Sequence, residues 1–161
     1  MALNGKNLWV ALVFIFGLST PTLADVAKVN VDGSGVAING YDPVAYFEMA
    51  KPVKGSKSFK ATHDGATYQC ASKRHLGLFK ANPEKYAPEY GGYCAFGMRY
   101  GQTSKVDPNA WTIVDGKLYL QYSQGTQAVW RTKPQEYITI ANQLWKKLAK
   151  TNEEVNEMEV D

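Results

Sequence analysis

Apolar and polar positions repeat with two different periods along this chain, and the changes of period mark its elements. Before either period starts, Leu8 to Leu18 forms a continuous apolar run without a charge. Lys6 precedes it and Thr22-Leu23-Ala24 follows it. A short positive start, an apolar run and small residues at the two positions a signal peptidase inspects predict a secretory signal over residues 1–24, cleaved before Asp25. The run is too short for a membrane anchor, which needs about 20 residues. Residues 25–35 are small and polar, with Asp-Gly-Ser-Gly at 32–35, and predict a flexible lead-in. The periodic part starts at residue 36.

In Gly40-Tyr41-Asp42-Pro43-Val44-Ala45-Tyr46-Phe47, Asp42 reads as a helix cap and Pro43 as the first helical residue, where a missing N–H costs nothing. Two short β-prone runs, Ser58 to Ala61 and Ala66 to Cys70, flank His63-Asp64-Gly65 and predict a hairpin with His63 in a solvated turn. Ser72 caps a helix over Lys73 to Ala81, on which His75, Leu76 and Phe79 share a face. Asn82-Pro83 ends that helix and starts a short one through Tyr86. Asp115-Gly116, between Trp111–Val114 and Lys117–Tyr122, is the strongest hairpin signal. Pro134 to Lys150 is the longest helix, with an apolar stripe of Ile138, Ala141, Leu144, Trp145 and Leu148. The residues from 151 to 161 are acidic and predict a disordered tail. Short hairpins with helices between and after them predict one compact α+β domain over residues 36–150, with a long C-terminal helix.

Composition narrows the function classes. Removing the signal leaves about 137 residues, enough for one domain with its own core. Lys+Arg 18 against Asp+Glu 15 gives no electrostatic footprint for nucleic acid. With no second long apolar run, the expectation is a periplasmic or secreted protein that leaves the membrane once its signal is cleaved. That compartment is oxidising and permits disulfides. Both cysteines of the chain, Cys70 and Cys94, lie in one 30-residue stretch with His75, one of only 2 histidines.

That stretch carries a resemblance. Asn-Gly-Tyr-Asp-Pro-Val-Ala-Tyr-Phe is followed by Tyr-x-x-x-Ser-x-x-His-x-x-x-Phe-x-x-Asn-Pro-x-x-Tyr-x-Pro-x-Tyr-Gly-Gly-Tyr-Cys-Ala. Then come Asp107-Pro108-Asn109-Ala110-Trp111 and Asp115-Gly116-Lys117-Leu118-Tyr119-Leu120. Over residues 35–145 the chain resembles the YHS-domain family, in its secreted stand-alone branch. YHS domains attached to copper-transporting ATPases have three cysteines as presumed metal ligands. At those positions this chain has Ala45, Ala71 and His75, so the resemblance carries over one donor of the three. Cys70 stands one residue before the second position. Cys94, in Gly-Gly-Tyr-Cys-Ala, belongs to the stand-alone pattern.

Three chemistries stay open. A soft metal ion, copper or zinc, suits His75 and Cys94 with Cys70 or Met98 as further ligands, because thiolate, thioether and imidazole are soft to borderline donors. A thiol enzyme or redox protein needs Cys94 as nucleophile with His75 as its base. A structural or small-ligand module would carry a Cys70–Cys94 disulfide, with Tyr and Trp side chains around Cys94 lining a pocket. No CxxCH haem site and no phosphate-cradling glycine loop is present. The reading favoured is an exported binding or accessory protein rather than an enzyme. Its expected partner is a metal ion or small ligand, and the sequence leaves protein partners open.

Overall fold

The computed structural model describes residues 28–158, so the expected signal at 1–24 lies outside the described residues. Among these residues there are six helices and two separate antiparallel hairpins, which is the α+β arrangement expected. In chain order the elements are α1 (Ala45–Glu48), β1 (Lys60–His63), β2 (Ala66–Gln69), α2 (Lys73–Ala81), α3 (Pro83–Tyr86), α4 (Ala95–Met98), β3 (Asp107–Val114), β4 (Lys117–Gln121), α5 (Gln124–Trp130) and α6 (Pro134–Met158).

Local chemistry explains most boundaries. Both hairpins turn on an Asp-Gly pair with positive φ at both residues, the geometry that matches strand twist in two-residue loops. Ser72 caps α2 by accepting the His75 N–H, and Asn82 caps α3 by accepting the Lys85 N–H. Ser123 caps α5 through the Thr126 N–H. The α5 segment contains Gly125 and little apolar periodicity, and it was not anticipated; its burial of Gln127 and Trp130 holds it helical.

β4 organises the interior. Residues Leu118 to Gln121 are all buried, and successive side chains point to opposite faces. Leu118 and Leu120 join the first core, with Val44, Tyr46, Tyr68, Cys70, Phe79 and Tyr86. Tyr119 joins the second, with Tyr90, Ala95, Met98, Trp130, Tyr137 and Ala141. A strand buried on both sides is apolar throughout rather than alternating.

Two ends differ from expectation. Residues 28–35 are a docked segment, not a loose lead-in: Val29 is buried, Asp32 ties its own turn to Ser34 and Val36, and the Asn30 N–H donates to the Gly91 carbonyl at 2.8 Å. At the other end α6 continues to Met158, through residues expected to form a disordered tail. Tyr137 and Ala141 are its buried contacts, with Ile138, Trp145 and Leu148 packed half-buried against the second core. Leu144, expected in that stripe, is half-buried and lies outside the cluster.

Candidate functional site

The most developed polar arrangement in the interior is centred on Asp42. The chain reaches it through a left-handed turn in which Ile38, Asn39 and Gly40 all have positive φ. That conformation is costly for a β-branched residue. Ile38 is nevertheless buried in the first core, which holds the turn in place. Asp42 is fully buried, and its carboxylate accepts three hydrogen bonds. The Val44 N–H donates to Oδ1 at 2.9 Å and the Ala71 N–H to Oδ2 at 2.8 Å. The third comes from His75 Nδ1, 2.6 Å from Oδ2. Such a carboxylate can remain buried because both of its oxygens accept hydrogen bonds. Asp42, expected as a simple cap, therefore ties the start of α1 to the α2 cap region and to the α2 histidine.

With Nδ1 engaged by Asp42, Nε2 is the ring nitrogen left to meet a ligand. Nε2 has no hydrogen-bond partner among the described residues, while the side chain is 9% exposed. The ring is thus oriented from behind and open at one nitrogen.

Cys70 lies beside this pair in the first core, fully buried. Burial, and then the Asp42 carboxylate, push its thiol up to about 12. Its thiol is therefore held neutral, which makes it a poor nucleophile.

Cys94 sits elsewhere. A second left-handed turn, Tyr90-Gly91-Gly92, precedes it. The Tyr122 N–H donates to its Sγ at 3.2 Å, and its S–H faces Gln121 Oε1 at 3.7 Å. Gln121 Oε1 also accepts the Phe96 N–H at 3.1 Å. Met98, one turn on from Cys94, is fully buried in the second core.

The expected partners are therefore not assembled. His75 is bonded to Asp42 among first-core residues, whereas Cys94 is bonded to the end of β4 beside the second core. No Cys94–His75 hydrogen bond forms, so the base–nucleophile pair is absent from the described structure. Both cysteines are free, so the Cys70–Cys94 bridge is not formed. Among the described residues no three His, Cys, Asp or Glu side chains group around a position that could hold a metal ion. Of the other expected donors, Cys70 packs in the first core and Met98 in the second. His63 ends β1 instead of occupying a solvated turn; it is half-buried, its ring near Tyr68 and Phe79.

The sequence pattern marked Asp42 only as a helix cap and did not single out Gln121 at all. Asp-Pro marks a helix start whatever the carboxylate touches, and a glutamine closing a strand carries no periodic signal. Comparison with protein-family models, with curated proteins and with solved structures found no match. The likeness to YHS domains rests on the motifs quoted above.

Proposed function

We propose that this chain is an exported binding or accessory protein of the YHS type that meets its ligand at His75 Nε2. The first candidate ligand is a copper or zinc ion carried with part of its coordination shell supplied from outside the chain. The observation that carries this reading is the 2.6 Å contact between buried Asp42 and His75 Nδ1, with Nε2 left without a hydrogen-bond partner among the described residues. Histidines that ligate metals commonly donate their other ring N–H to a carboxylate, which fixes tautomer and orientation and raises the basicity of the ligating nitrogen. The apolar run and small residues before Asp25 support export. An accessory role follows from the donor count, since one imidazole can pass an ion on but does not enclose it.

Titration of the reduced protein with Cu(I) and with Zn(II) tests this. His75→Ala is expected to abolish binding, and Asp42→Asn to weaken it by about 10- to 100-fold. Cys94→Ser and His63→Ala should leave it unchanged. Equal binding by wild type and His75→Ala overturns the reading and leaves the Asp42–His75 pair as a structural tie between α2 and the chain before α1.

A further inference from the structure

The β1–β2 hairpin has one edge in use and one edge free. Residues of an antiparallel pair alternate between bonding their partner strand and pointing away from it. The Cys70 N–H donates to the Phe59 carbonyl at 2.7 Å, and in the same register Ala61 faces Tyr68 and His63 faces Ala66. The residues between them, Lys60 and Thr62 on β1 and Thr67 on β2, therefore turn their backbone N–H and C=O groups away from the hairpin. On the β2 side these groups are used: the Thr67 N–H donates to the Gly35 carbonyl and the Thr67 carbonyl accepts the Ala37 N–H, both at 2.9 Å. On the β1 side the N–H and C=O of Lys60 and Thr62 have no hydrogen-bond partner among the described residues, and both residues are exposed. A free edge flanked by lysine is ordinarily just solvated. Here it opens on a cleft of about 430 Å³, whose far wall is Lys80 and Pro83 where α2 gives way to α3. No Asp or Glu lines the cleft, and neither Lys60 nor Lys80 forms an ion pair among the described residues.

From this arrangement we propose that the outer edge of β1 takes up an extended acidic segment of a partner protein as an added strand. The backbone of that segment exchanges hydrogen bonds with Lys60 and Thr62, as residues 35–37 do with Thr67 on the opposite edge. Its side chains alternate between the two faces of the sheet. On one face lies Lys60, with Thr62 and Thr67. On the other lies Lys80, near the end of the helix whose Phe79 packs on Tyr68. A carboxylate on either face of the guest strand meets a lysine, and a cationic segment is repelled. The paired stretch is short, so the contact is weak and exchanging rather than permanent. The proposal does not depend on metal binding at His75.

The test follows the fluorescence polarisation of a labelled peptide of alternating Glu and Thr against the purified chain. Saturable binding is expected, weaker at high salt. Methylating the peptide's backbone nitrogens keeps its charge but removes its donors, and should abolish binding. Thr62→Pro removes an N–H that points away from β2, where an edge strand tolerates proline, and should weaken binding by about tenfold through the lost hydrogen bond and the blocked edge. Lys60→Glu combined with Lys80→Glu should also weaken it, by reversing the charge on both faces. If Thr62→Pro fails to fold, as judged by its thermal transition, the methylated peptide decides the same point on the wild-type chain. The proposal is overturned by absence of binding, by equal binding of the methylated peptide or of one with Lys in place of Glu, or by undiminished binding to the folded Thr62→Pro variant. Displacement by inorganic phosphate at constant ionic strength also overturns it, in favour of a small-anion cleft.

Discussion

A buried carboxylate is tolerated only when donors reach both of its oxygens, and at Asp42 the three donors come from residues 44, 71 and 75. Asp42→Ala leaves two backbone N–H groups and the His75 ring N–H facing an apolar methyl. The expected cost is about 3–5 kcal/mol on urea denaturation. His75→Ala should cost less, because Asp42 then keeps both backbone donors. A double-mutant cycle over the two sites should show coupling of about 1–3 kcal/mol. Additive effects would mean that the 2.6 Å contact does not contribute to stability. Asp42 was legible as a residue that starts a helix, since Asp-Pro has that meaning locally. Its partner was not, because 33 residues and a hairpin separate it from His75. The His75 position itself was legible on the inward face of α2, beside Phe79.

Among the elements, the two left-handed turns matter most, since one leads into Asp42 and the other into Cys94. In the second turn, Gly91 has φ +59° and a Cβ there would collide with the Lys28 carbonyl oxygen. Gly91→Ala is therefore expected to displace residues 28–30 and break the Asn30–Gly91 bond, destabilising the fold by more than the roughly 1 kcal/mol of an ordinary unfavourable glycine replacement. Protease susceptibility ahead of Val29 should rise in that variant; an unchanged digestion pattern would contradict this docking. On α6 the pattern of contacts separates two truncations. Tyr137→Ala, which removes a ring packed against Phe96 and Trp130, should cost about 3–5 kcal/mol. Leu144→Ala, half-buried outside the cluster, should cost about 1 kcal/mol. Equal losses in chemical denaturation would place Leu144 in the core after all. The apolar stripe announced α6, but the sequence pattern does not show which of its residues meet a neighbour.

For the molecule as a whole, the two cores on either side of β4 make alkaline stability a readout of burial. Cys70 and Tyr119 are both pushed up to about 12, by burial first and then by nearby carboxylates. Each folded value stands above its ordinary one, near 9 for the thiol and 10 for the phenol. Their neutral forms are fully compatible with the fold below pH 9, and that compatibility is lost as pH rises through 12, because the unfolded chain ionises first. Stability from denaturant midpoints should therefore fall steadily between pH 9 and 12, and Cys70→Ala should flatten the fall between 9 and 10. A flat profile in the wild type would contradict the burial of both groups. The two-sided strand also explains the limits of the sequence as a guide. Turn chemistry, caps and apolar periodicity act over a few residues, so the chain alone determined the Asp-Gly hairpins, the Ser72 cap, the break at Asn82-Pro83, the long C-terminal helix and the α+β class. Which side of β4 each reactive residue occupies is set by packing across the whole molecule. Only the tertiary structure decided that His75 meets Asp42, that Cys94 meets Gln121, and that the two sites are built separately, because hydrogen bonds between distant segments leave no period in the sequence.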